Sequence, residues 1–171
     1  PGALDRFPLK DVETTTKPED SLELAFFPEE PRMGGYGSMA LQGESLVVGS
    51  GLSASLVIID RETFSFRRGP EDPLNLYPHE GNDTISLASH SDGILRVASF
   101  NLDSVFRVNV ESEEVVGDPL DVGSTSDLEG LLQVMPLPDG TELGLLTLGN
   151  ALSRWDGGEP ENLETGLAAV G

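Results

Sequence analysis

The sequence predicts an all-β fold, a β-propeller of four-stranded antiparallel blades, with about three and a half blades in this chain. Three observations predict it. The apolar runs are short, rich in β-branched residues, and bounded by Asp, Asn, Ser and Gly, which is the pattern of strands joined by tight turns. The runs come in groups of four, in a span of the size of one blade. The groups then recur, with a period of 47–49 residues.

The clearest unit is Gly81–Gly123. Thr84–Ala88 alternates, and Ser91-Asp92-Gly93 makes a turn. Ile94–Phe100 is a second run and Val105–Val110 a third, with Asn101-Leu102-Asp103 between them. A polar Glu111–Glu114 and a fourth run from Val115 complete it. Stepping back, Leu56–Asp60 resembles Val105–Asn109, with Asn109 lying 49 residues after Asp60. Leu46–Ser50 maps onto Leu95–Ser99 at the same step, and Thr63–Phe66 alternates as a fourth strand. Stepping forward by 47, Asp139-Gly140 matches Asp92-Gly93, and Leu152–Asp156 takes the third-strand place. Leu143–Leu148 takes the second and Leu128–Leu137 the first. Stepping back once more from Asp60 reaches Asp11, so Phe7–Asp11 is expected as a third strand. Val12–Thr16 follows it, Lys17–Asp20 turns, and Leu22–Phe27 is a further run.

The expected units are approximately 1–28 (partial), 33–76, 82–123 and 127–167, within a single domain, 1–171. A half unit leaves blade edges open. Either the chain is part of something longer or nicked, or a protein partner or second copy completes the propeller.

The composition of the 171-residue chain narrows the function. Thirty acidic residues against ten basic ones give a net charge of −20. Such a surface repels phosphate backbones and anionic lipid, and no basic stripe offsets it, so nucleic acid is not an expected partner. No apolar run approaches membrane-spanning length, so no membrane span is expected. The absence of Cys excludes disulfides, thiol catalysis and Cys-ligated zinc.

Asp92-Gly93, Leu95–Asn101, Asp103–Asn109, Val115-Val116 and Val122-Gly123 together resemble the YVTN-type β-propeller repeat of lactonase-like and surface-layer proteins. The resemblance covers roughly half the chain and is carried by blade-forming residues. It implies an extracytoplasmic propeller (periplasm, cell surface or secreted) used for binding or display. It carries over no catalytic residue.

The most polar convergence is Tyr77–Asp83, in the loop that leads into the first strand of its blade. One step on, Asp127 and Glu129 fall at the same place. Glu80, Asn82, Asp83, Asp127 and Glu129 are therefore candidate metal ligands at one channel mouth, with His79 in the same ligand-binding loop. Their hard oxygens suit Ca²⁺ or Mg²⁺. The ordinary alternative is that these side chains cap turns and face solvent. His90 is expected to make a turn hydrogen bond, and Trp155 to pack in the core. Gly35–Ala40 matches a G-x-G-x-x-A pattern, but Gly43, Gly49 and Gly51 interrupt the helix that a dinucleotide site needs. Asn82-Asp83-Thr84 is an N-glycosylation sequon in form.

The leading expectation is a non-enzymatic, exported or cell-surface propeller acting as a binding or assembly scaffold. The alternatives are a lactonase-like, metal-dependent hydrolase with an acidic channel-mouth site, and a structural subunit whose open blade edges pair with another chain.

Overall fold

The computed structural model describes residues 2–6, 18–24, 36–50, 54–77, 83, 85–122, 130–146, 151–156 and 160–163. The fold is all-β. A first, two-stranded sheet pairs β1 (Gly2–Arg6) with β2 (Asp20–Leu24). The second sheet runs β3 (Tyr36–Gln42), β4 (Ser45–Ser50), β5 (Ser55–Asp60), β6 (Ser65–Arg68), with β7 (Leu74–Asn75) also on β5. The third runs β8 (Ile85–Ala88), β9 (Ile94–Ser99), β10 (Ser104–Asn109), β11 (Glu114–Val115), with β12 (Leu120–Asp121) also on β10. The fourth runs β13 (Leu131–Pro136), β14 (Glu142–Leu146), β15 (Ala151–Trp155), β16 (Glu161–Leu163). Every pairing is antiparallel.

Burial on both faces explains the strand composition. Leu56, Val57, Ile58 and Ile59 are consecutive and all fully buried. A strand buries neighbouring residues only when both sides of its sheet are covered, because side chains alternate across it. Leu56 and Ile58 enter a cluster with Leu87, Leu95, Val97, Phe106 and Val108 of the third sheet. Val57 and Ile59 enter a different cluster with Leu24, Val48 and Phe64, against which Leu4 and Leu22 of the first sheet pack. The third sheet repeats the arrangement, sending Ala98 and Val105 to meet Leu131, Val134 and Leu146 of the fourth. Each fully buried Leu, Ile or Val contributes about 1.5–3 kcal/mol. The sheets are therefore stacked blades, each a wall of the next blade's core.

Turn chemistry repeats with the blades. Asp60 Oδ1 accepts from the Thr63 amide at 2.7 Å, and Asn109 Oδ1 accepts from the amides of Glu111 at 3.0 Å and Ser112 at 3.1 Å. These are Asx turns at one position of the repeat. Four residues after each, Phe64 (φ 49°) and Glu113 (φ 57°) share a left-handed conformation.

The first strand is one the sequence did not mark. It is Gly2–Arg6, while Phe7–Asp11 and Val12–Thr16 lie outside the described residues.

Two glycines are points of close approach, Gly49 to the neighbouring blade and Gly144 within the fourth. A Cβ on Gly49 would lie 2.9 Å from Ser38 Oγ and 3.1 Å from the Ile85 side chain of the third sheet. A Cβ on Gly144 would lie 2.8 Å from the Trp155 ring and 2.9 Å from Leu131 Cδ1. Gly144→Ala should therefore destabilise the protein by about 1–3 kcal/mol through overpacking. Gly69→Ala, whose Cβ would meet Phe66 at an ordinary 3.5 Å, should leave the melting temperature nearly unchanged. Thermal unfolding of both variants checks this.

Candidate functional site

The loop singled out by the sequence is described at its two ends, Tyr77 and Asp83. His79, Glu80, Asn82, Asp127 and Glu129 lie outside the described residues. Asp83 is 1% exposed and held inside the third blade. Its Oδ2 accepts from the Tyr77 hydroxyl and from Ser99 Oγ, both at 2.7 Å, and its Oδ1 accepts from the Asn101 amide at 3.1 Å. The Tyr77 ring stacks on Phe106 at 5.5 Å. Burial pushes the Tyr77 hydroxyl above its ordinary pKa, and the bond to Asp83 adds to that, so the phenol stays protonated as a donor. Asp83 thus ties the loop to the ends of β9 and the following turn.

A second polar constellation joins the third and fourth blades. Arg96, on β9, is 6% exposed and points at Glu142, on β14, which is 4% exposed. Arg96 Nε donates to Glu142 Oε1 at 2.5 Å, and Trp155 Nε1 donates to Glu142 Oε2 at 2.6 Å. Arg96 also donates to Asp92 Oδ2 at 2.7 Å and to the Ile94 carbonyl at 2.7 Å. His90 Nδ1 lies 2.8 Å from Asp92 Oδ1, in the turn where the sequence placed it. Burial works against the charge on Arg96, but the Asp92 and Glu142 carboxylates outweigh it and raise its pKa. Burial likewise opposes ionisation of Asp92, yet the Arg96 bond, the Ile94 amide and His90 together hold its carboxyl down at about 2. Trp155 is 2% exposed and packs in the core between these blades, as expected. Sequence reasoning did not pick out Arg96 or Glu142. The available signal was an Arg in the apolar run Leu95-Arg96-Val97 and an acid at the second-strand place of the next unit.

Between the second and third blades the inner bridges are polar and neutral, and ion pairs lie further out. The Gln42 side-chain amide donates to the His90 carbonyl and accepts from the His90 amide, both at 3.0 Å. Ser38 Oγ donates to the Ile85 carbonyl at 3.0 Å. Further out, Arg68 Nε donates to Glu113 Oε2 at 2.8 Å.

An open cleft of about 690 Å³ lies where β1 faces β3. Leu4, Met39, Leu41, Leu46, Phe64 and Leu87 supply its apolar wall. Arg6, which stacks over the Phe64 ring at 5.0 Å and is ion-paired with Asp20, stands at one side, and Arg61 at another. Among the described residues no group of three His, Asp or Glu side chains is placed to hold a metal ion.

No protein-family profile matches the chain, and no curated protein matches it in sequence. Its fold is similar to solved β-propeller structures. These include a virginiamycin B lyase from Staphylococcus aureus (TM-score 0.59, 14% identity, 78% of this chain and 42% of that one). A hydrazine synthase from Kuenenia stuttgartiensis matches with a TM-score of 0.60 and 17% identity over 80% of this chain and 38% of that one. YCF48 bound to D1 peptide matches with a TM-score of 0.57 and 14% identity over 85% and 43%. The chain therefore spans about two fifths of the length of these structures. At these identities the likeness establishes the propeller fold.

Two outcomes follow from the polar sites. Asp83→Asn turns an amide donor toward groups that themselves donate, and should cost about 1–3 kcal/mol in chemical denaturation. Asp92 has a folded pKa below its ordinary 3.8, so its contribution is present above about pH 4 and lost as pH falls toward 2. The melting-temperature gap between the native chain and Asp92→Asn should be constant above pH 5 and should close between pH 4 and 2.

Proposed function

We propose that this chain is a non-enzymatic propeller segment that binds or assembles with other polypeptides, in an exported or cell-surface setting. One contrast carries the reading. The buried charged groups Asp83, Arg96 and Glu142 are committed to partners within and between blades, whereas the cleft beside β1 presents an apolar wall. Committed carboxylates hold blades in register, and an uncovered apolar wall is a surface for a protein partner. The similar fold of YCF48, solved with a bound peptide, supports the same use. The strongly acidic surface and the YVTN-like repeat pattern support the exported, surface-layer side of the proposal. The rival is a metal-dependent hydrolase at the acidic channel mouth, in which Ca²⁺ would polarise a carbonyl.

A panel of lactones and simple esters, assayed with Ca²⁺ and again with a chelator, separates the two. The scaffold reading predicts no turnover above buffer and a melting temperature indifferent to the chelator. Turnover that a chelator abolishes would overturn it.

A further inference from the structure

We propose that this chain is built to work in salt near molar strength, where a diffuse layer of monovalent cations over its acidic outer strands completes the fold. The inference stands beside the scaffold reading and does not rest on it.

Thirty acidic side chains face ten basic ones, a net charge of −20. Solubility alone does not call for so much, since a net charge of magnitude about 2–8 keeps a small domain in solution. The basic side chains are also of one kind. Lys10 and Lys17 are the two lysines of the chain, and both lie outside the described residues. His90 aside, every basic side chain among the described residues is therefore an Arg. Arg6, Arg61, Arg67, Arg68, Arg96 and Arg154 are each paired with a carboxylate.

The surplus of acid is left on the surface. Among the described residues Glu62, Glu71, Glu114, Asp118, Asp156 and Glu161 are exposed and make no ion pair. They are spread over the second, third and fourth blades rather than gathered at one point. The third blade's outer edge, with β11 and β12, shows the crowding. Residues 111–121 include Glu111, Glu113, Glu114, Asp118 and Asp121 and no basic residue. Arg67 and Arg68 of the second blade reach Glu111 and Glu113 there, and Glu114 and Asp118 are left without a counter-charge.

Like charge on a compact chain opposes folding by self-repulsion. Neighbouring side chains on paired strands stand about 5 Å apart. At about 0.1 M salt the Debye length is about 10 Å, so such neighbours repel almost unscreened. At about 1 M it is about 3 Å, shorter than their separation, and the repulsion is largely removed. The pairs that persist under that screening are close or buried ones. Arg68 Nε lies 2.8 Å from Glu113 Oε2, in the planar geometry that Arg offers and Lys does not. The Arg96–Glu142 pair is buried, where salt reaches little.

Thermal unfolding of the full chain in rising KCl tests this. Between about 0.1 M and about 1 M KCl the melting temperature should rise by about 10 °C. A variant carrying Glu62→Gln, Glu71→Gln, Glu114→Gln and Asp118→Asn loses surplus charge and keeps every ion pair described above. It should melt above the native chain at the lower salt and match it to about 2 °C at the higher, so its own rise is smaller. General salting-out would raise both proteins alike, so equal rises would overturn the proposal. A native melting temperature that moves by less than about 2 °C across the range would overturn it as well. So would a rise already complete in about 1 mM Ca²⁺, which would place the effect at one divalent site. None of these outcomes bears on the scaffold reading, which the turnover assay tests separately.

Discussion

The stacking of one sheet's face on the next is the constraint from which the rest of the structure follows. A four-stranded sheet in this chain is apolar on both faces, so it holds together only between neighbours. β5 shows it most plainly. Leu56 and Ile58 depend on the third sheet, and Val57 and Ile59 on the first. Strand length, the Asx turns and the close-approach glycines all serve that stacking. Gly49 lets Ile85 of the third sheet come in.

Apolar stacking alone leaves sheets able to slide. The polar bridges fix their register. Gln42 reads the main chain of His90 with both ends of its amide, which only one offset of the two blades permits. At the next interface the same task falls to Arg96 and Glu142, with Trp155 satisfying the second carboxylate oxygen. A buried ion pair of this kind adds little net stability compared with an apolar pair, but leaving one partner alone is costly. Its effect is to penalise misaligned blades. Asp83 acts within a blade rather than between blades, drawing Tyr77, Ser99 and Asn101 together.

Much of the architecture was legible in the sequence because strands and turns are local. Leu56–Asp60 and Val105–Asn109 read as the same strand one repeat apart, each ending in an Asx residue. The strand Gly2–Arg6 was not legible, since Ala3-Leu4 is its one apolar pair and is too short a run to mark a strand. The Arg96–Glu142 pair was not legible either. Its members sit in different blades, and spacing within one sequence does not show which polar residues on neighbouring sheets will meet. At the candidate site, the sequence marked Asp83 as one of a ring of oxygen ligands, from its place before the first strand. Its burial depends on Tyr77 folding over Phe106, a contact formed across the blade. The exposure of Met39, where Leu87 and Val134 at the matching places are buried, is invisible in sequence for the same reason, since a Met, a Leu and a Val are all ordinary strand residues.

The central claim is that blade stability comes from being covered on both faces, so the first sheet, with two strands and one covered face among the described residues, should be the weakest. Native-state hydrogen exchange tests this most directly. The amides of β4, β5, β9 and β10 should exchange together, at the free energy of global unfolding, while those of β1 and β2 should exchange through a separate opening of markedly lower free energy. Exchange from β1 and β2 as slow as from β9 and β10 would contradict the account.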